Sequence, residues 1–247
     1  MTRSILISGG SRGIGRATAL RAARAGWNVA FTYRSDAEAA EATAAEVEAS
    51  GSTAVALQGD TTTEADVVRV FAEAKTTLGH LDAVVVNAGI VGPSQPLAEM
   101  SVDRIKTILD TNVLGAMLFA REAARVLPRE GKATSSIVFV SSAAARLGSP
   151  NEYVDYAASK GAIDTLTIGL SKELAPQNIR VNGVRPGLIE TDIHASGGQP
   201  DRAARLGRNV PMARAGTAAE VAEAIFWLCD DASSYATGSI LDVAGGR

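Results

Sequence analysis

Only one cysteine, Cys229, occurs among the 247 residues, so no disulfide can close within the chain. It stands in the apolar run 224–229, where a small buried thiol packs as a hydrophobe and makes a poor nucleophile. Histidine is nearly as scarce. His80 and His194 lie far apart without ligand-like spacing, which argues against a metal site. No apolar run approaches the roughly 20 residues of a membrane span, and the segment after Met1-Thr2-Arg3 carries no signal-peptide core. A cytoplasmic protein is therefore expected. The formal net charge of −3 supplies no electrostatic pull toward nucleic acid or an anionic membrane. Aromatics make up only 4% of the chain, yet hydrophobic residues reach 46%, enough for a sizeable core of small and branched side chains.

What is present alternates. Residues 4–8 read as a strand and 13–25 as a helix ended by Gly26. The next strand is 28–33, after which Ser35-x-x-Glu38 makes a capping box for a helix ending near Gly51. Residues 54–58 and 83–86 are strand-like and flank a helix over 64–78. Ser101 caps a long helix reaching residue 127, followed by a strand at 136–140 and a helix over 153–174. A strand at 179–185, a second capping box at Thr217-x-x-Glu220 and a last strand at 239–243 complete the series. Repeated β-α units without a linker imply a single α/β domain over 1–247. Its expected form is a Rossmann-type, doubly wound parallel sheet of about seven strands, with helices on both faces. The long irregular stretch 187–211, with Gly197-Gly198 and Gln199-Pro200, is expected to be a substrate-binding lid loop within that domain.

Gly9-Gly10-Ser11-Arg12-Gly13-Ile14-Gly15 follows the first strand and opens the first helix. Glycine permits a tight turn and close backbone approach to a pyrophosphate, and the helix N-terminus offers free N–H groups and partial positive charge. The spacing G-x-x-x-G-x-G is one residue wider than the usual dinucleotide fingerprint. At the end of the second strand, an NAD enzyme usually places a carboxylate to accept from the ribose 2′-hydroxyl. Here Tyr33-Arg34-Ser35 stands instead, and Arg12 reaches toward the same region. Two guanidiniums favour a 2′-phosphate, so NADP(H) is the expected cofactor. Asp36 is accounted for by the helix start.

Tyr156 and Lys160 lie four apart at the start of a helix, on one face and one turn from each other. A free phenol titrates near 10, and a neighbouring ammonium draws that value toward the working range of an acid–base group. The glycine loop, Asn87-Ala88-Gly89, Asn112, Ser141-Ser142, Tyr156/Lys160 and Pro186-Gly187 occur together in order. With these motifs the chain resembles, over essentially its full length, the classical short-chain dehydrogenases/reductases. It is most similar to the branch of 3-oxoacyl-carrier-protein reductases and bacterial glucose dehydrogenases.

The resemblance implies roles. Tyr156 is the proton donor in reduction, Ser142 binds the substrate oxygen, Lys160 holds the ribose, and Asn112 anchors a water that serves Lys160. Gly9, Ser11, Arg12, Gly13, Ile14 and Gly15 cradle the phosphates, with Tyr33, Arg34 and Ser35 at the 2′ position. Asp60 and Thr61 meet the adenine, and Asn87, Ala88 and Gly89 its ribose. Pro186, Gly187, Ile189 and Thr191 shape the nicotinamide pocket. The implied partner is a small carbonyl or alcohol substrate. A 3-oxoacyl thioester or similar ketone comes first, with a sugar or polyol as alternative, and a non-catalytic NADP-binding sensor as the alternative of another class. An acyl carrier protein, docking at Arg125, Arg129, Lys132 and Lys172, and a homotetramer are also implied. No metal, nucleic acid or membrane enters. Three departures stand out: Ser8 in place of threonine, Val86 before Asn87, and one extra residue between Ser142 and Tyr156, with Ser141 as a lesser alternative to Ser142.

Overall fold

The computed structural model describes residues 2–127 and 134–247. Seven strands, β1 (Ser4–Ile7), β2 (Asn28–Tyr33), β3 (Ala54–Gln58), β4 (Ala83–Val86), β5 (Ser135–Val140), β6 (Ile179–Pro186) and β9 (Ile240–Val243), form one sheet. Its order is β3-β2-β1-β4-β5-β6-β9, with parallel pairing throughout. A two-stranded ribbon of β7 (Ile189–Glu190) and β8 (Gly216–Thr217) sits apart from it. The helices are α1 (Gly13–Arg24), α2 (Ala37–Ala49), α3 (Glu64–Leu78), α4 (Val102–Leu109), α5 (Gly115–Val126), α6 (Ala144–Leu147), α7 (Val154–Leu174), α8 (Ile193–Ser196), α9 (Arg202–Leu206) and α10 (Ala218–Cys229).

Period-two alternation assigns each strand residue to a face. Leu6, Val84, Val86, Ile137 and Phe139 join a core with α3, α5 and α7 residues such as Phe71, Phe119 and Ile163. Their neighbours Ile5, Ile7, Val85, Val138 and Val140 join the other core, with α1 and α10. Both faces of the strands are thus dry, which is why the strands read as unbroken apolar runs. Among the described residues no helix is long and apolar enough to cross a membrane.

Three sequence expectations need correction. Asp36, and not Ser35, caps α2, its carboxylate accepting from Ala39 N at 3.0 Å. The long helix from Ser101 is interrupted: Asp110–Leu114 is a π-helical turn between α4 and α5, and Asn112 lies in it. Residues 187–211 are not an irregular loop but hold β7, α8 and α9. The small residues opening α5 serve the core, since a side chain at Gly115 would meet Thr61 Oγ1 at 2.9 Å.

Candidate active site

The carboxyl ends of β1 and β4 adjoin at the point where strand order reverses, and the connections there diverge into a cleft of about 390 Å³. Its floor begins with the glycine loop. Gly9 and Gly13 have φ of +69° and +56°, a backbone shape that other residues adopt only with strain. At Gly15 a Cβ would fall 2.1 Å from Gly9 O, so the loop folds back on the first turn of α1 as only glycine allows. Asn87 locks this shape: its amide donates to Ser8 O at 3.0 Å and Gly9 O at 2.8 Å. The Ser8 hydroxyl accepts from the backbone N–H groups of Asn87 and Ala88 at 2.9 and 3.0 Å, so the hydroxyl that serine shares with threonine is the part used. This cradle, opening at the N-terminus of α1, fits a pyrophosphate.

At the adenine end Arg34 reaches Asp60, Nε to Oδ2 at 3.1 Å, while Asp60 Oδ1 accepts from Thr62 N and Oγ1 at 2.9 and 2.8 Å. Arg12 is exposed and makes no ion pair or hydrogen bond from its side chain among the described residues. Thr191 closes over the loop, 3.7 Å from where a Gly13 side chain would stand.

The opposite wall is α7. Tyr156 is half-buried, with its phenol close enough to the Ser142 hydroxyl to feel it electrostatically. Burial pushes its phenol above the ordinary 10.0, with the Ser142 hydroxyl pulling the other way. Lys160 is buried, its Nζ donating to Val140 O at 2.8 Å and lying 5.7 Å from the Tyr156 ring centroid. Desolvation pushes the ammonium down to about 8, and the Asp164 carboxylate opposes this. The expectation that Lys160 lowers the Tyr156 value is therefore corrected: within the protein alone burial dominates and the phenol moves upward.

The two serines are separated cleanly. Ser141 is buried, its hydroxyl lying 2.6 Å from Asp164 Oδ1 and 3.1 Å from Lys160 O, away from the tyrosine. Ser142 is the one that meets Tyr156. Asn112 sits behind the cleft, its amide donating to Ile90 O at 2.9 Å and Ser159 Oγ at 3.0 Å, and its oxygen accepting from Ile90 N at 2.8 Å. That oxygen and Lys160 Nζ both lie 3.3 Å from where a Gly89 side chain would stand, so Gly89 keeps room between them.

All of the catalytic and coenzyme-binding residues that the resemblance implies line the cleft except Gly15 and Asn112, which support it. Sequence reasoning missed Ile90, Val91, Leu147, Ile193 and Arg202 of the substrate-side wall, which carry no local motif and reach the cleft only through the packing of separate segments. Tyr153 is the N-cap residue of α7 and also lines the cleft. Cys229 is buried, its thiol pushed up to about 12 by desolvation, and is structural. No group of three or more metal-ligating side chains occurs among the described residues.

A doubly wound parallel sheet, with a glycine cradle at its switch point and a Tyr–Ser–Lys cluster facing it, defines a Rossmann-type oxidoreductase acting on CH–OH or C=O groups. Residues 9–247 match a family model described as enoyl-(acyl carrier protein) reductase, and an uncharacterised oxidoreductase of Escherichia coli (strain K12), YgfF, is 51% identical over 98% of each chain. The chain belongs to the classical short-chain dehydrogenase/reductase family. Glucose 1-dehydrogenase of Gluconobacter oxydans (strain 621H) is 35% identical, covering 99% of this chain and 91% of that one. A 3-ketoacyl-(acyl-carrier-protein) reductase of Brucella melitensis, solved in complex with NADH, superposes with a TM-score of 0.92 at 32% identity, over 99% of this chain and 98% of that one.

Proposed function

We propose that this chain reduces a ketone to a secondary alcohol with NADPH, a 3-oxoacyl thioester being the first substrate to test. The observation that carries the reading is the Tyr156–Ser142 pair with Lys160 behind it, on the wall facing the glycine cradle. The bound coenzyme supplies the hydride to the carbonyl carbon. Tyr156 Oη donates the proton to the carbonyl oxygen, and Ser142 Oγ stabilises the charge that develops there. A phenol held above its ordinary value stays protonated through neutral pH, which suits an acid in the reductive direction. Lys160 holds the nicotinamide ribose. Arg12 and Arg34 favour the 2′-phosphate, because Arg34 and Ser35 are the residues that follow β2 and Asp36 is committed to its helix cap. Segment 187–211 closes over the substrate as a lid.

The test is NADPH oxidation with an acetoacetyl thioester, with NADH in parallel. Turnover with NADPH that Tyr156→Phe lowers at least about a hundredfold supports the reading; near wild-type turnover of that variant, or preference for NADH, overturns its catalytic or its coenzyme half. The relationship to glucose 1-dehydrogenase favours a second reading, oxidation of a sugar, tested with glucose and NADP⁺. Of the carrier-protein dock, Arg125 is paired with Glu122, Lys172 is exposed, and Arg129 and Lys132 lie outside the described residues. Running the thioester on coenzyme A and on acyl carrier protein decides that partner. A homotetramer is proposed from the apolar side chains that α4, α5 and their junction leave in solvent, Leu109, Leu114 and Met117, and from Ile168 on α7.

A further inference from the structure

Between Ser142 and Tyr156, Ser149 and Asn151 turn through left-handed backbone, φ 45° and 60°, and Glu152 follows next to Tyr153 of the cleft wall. There Glu152 grips Arg202 of α9 in a two-pronged pair, Nη1 to Oε1 at 2.9 Å and Nη2 to Oε2 at 2.6 Å. The Arg202 guanidinium lies 5.1 Å over the ring of Tyr153, whose hydroxyl accepts from Gln199 Nε2 at 2.8 Å. Gln199 Oε1 in turn accepts from Arg202 Nη1 at 3.2 Å and Arg205 Nη2 at 2.6 Å. Arg202 is thus fixed from three sides, with its side chain only 13% exposed, in the wall that also holds Tyr153 and Tyr156. Its Nε and one Nη2 hydrogen have no acceptor among the described residues.

We infer that Arg202 forms an anion subsite, through which the enzyme selects ketones that carry a carboxylate or similar acid group. This rests on the ketone-reductase reading and narrows its substrate class. Away from the glycine loop and the adenine end, Lys160, Arg202 and Arg247 line the cleft with Asp192, and Glu152 beside them already neutralises part of the Arg202 charge. A flat guanidinium already stacked and held by a carboxylate is pre-organised for a second carboxylate along its free edge. Glu152 acts as the resident competitor: held below the usual carboxylate range by Arg202 first, then Arg205 and Arg247, it stays charged at neutral pH.

If Glu152 competes with the ligand, removing its charge strengthens anion binding, whereas a mere latch would loosen. Binding is measured first, by the thermal protection that glutarate and dimethyl glutarate give the protein in saturating NADPH. Turnover of 4-oxopentanoate and its methyl ester follows. The expected result is protection by glutarate alone, and an acid-to-ester ratio in kcat/KM of roughly tenfold or more, the size of one charge-assisted contact. Arg202→Met collapses both, Arg202→Lys retains part, and Glu152→Gln strengthens glutarate binding by releasing the guanidinium. Equal behaviour of acid and ester, no protection by glutarate, or a loss of glutarate affinity in Glu152→Gln as in Arg202→Met would overturn the subsite. Turnover of both ketones without discrimination leaves the reductase reading standing and the subsite refuted. Glutarate binding that depends on Arg202, without turnover of either ketone or of the acetoacetyl thioester, supports the subsite and sinks the reductase reading.

Discussion

The chemistry turns on how a few side chains divide their tasks. Ser141 and Ser142 are adjacent, yet one faces Asp164 and the other Tyr156. Ser142→Ala is expected to lower turnover about a hundredfold with little change in melting temperature. Ser141→Ala should do the reverse, keeping most activity while losing about 1–3 kcal/mol in denaturant unfolding, because a buried carboxylate oxygen loses its donor. Lys160 shows function drawing on stability. Its value falls from 10.5 to about 8 in the fold, so folding favours the neutral amine. For a base depressed in this way the stabilising contribution is complete above pH 10.5. It declines as pH falls through the window down to about 8 and stays lost below it. A shift of this size is worth about 3 kcal/mol, borne at pH 7, part of which the Nζ–Val140 hydrogen bond returns. Lys160→Met should therefore abolish turnover and raise stability on the order of 1 kcal/mol, or about 2–4 °C in Tm at pH 7. A fall in Tm would show that the contacts to Val140 and Asp164 outweigh the burial of charge.

Among the elements, the turn from β1 into α1 is the most constrained. Gly15→Ala places a methyl against Gly9 O and the Asn87 amide, so the loop must open. Coenzyme affinity, read by fluorescence titration, is expected to fall at least tenfold, about 1.4 kcal/mol. Unaltered affinity would mean the loop relaxes without touching the phosphates. At the other end of the chain the capping box of α10 is formed from both sides, Glu220 N donating to Thr217 Oγ1 at 3.2 Å and Thr217 N to Glu220 Oε2 at 2.8 Å. Arg214 and the cap hold Glu220 down to about 2. Thr217→Ala should cost about 1 kcal/mol in the urea midpoint without altering turnover. These boxes differ in legibility. Thr217-x-x-Glu220 is readable because no other capping side chain adjoins Thr217, whereas Ser35 and Asp36 are both good caps and only the structure shows that Asp36 is the one used.

For the molecule as a whole, the surface apolar residues on α4, α5, their π-helical junction and α7 remain without partners in one chain. Ile168 is 45% exposed and Met117 44%, and a side chain at Gly161 or Gly169 would meet nothing within 4 Å. A face that is both apolar and flattened by glycine fits a second copy of the same helices. Sedimentation should give a tetramer for the native chain and smaller species for Met117→Glu, with the unfolding midpoint becoming dependent on protein concentration only in the former. A native monomer would refute the assembly while leaving the single-chain site unaffected.

The strands, most helix limits, the glycine loop and the Tyr–Lys pair were legible in the sequence because they follow from local rules, and the remaining coenzyme residues through the family resemblance. Apolar alternation, glycine at positive φ and an i,i+4 Tyr–Lys pair each operate within a few residues. The fold class and the family followed from their order along the chain. What only the tertiary structure decided lies between segments. The π-helical turn that aims Asn112 at Ile90 and Ser159, the split of Ser141 from Ser142, and the meeting of Arg202 with Glu152 across 50 positions all depend on packing of distant elements. So does the direction in which Tyr156 titrates. Spacing brings a lysine near the phenol, but the direction is set by the dry wall around it, which the whole fold builds and which outweighs the pull of Ser142.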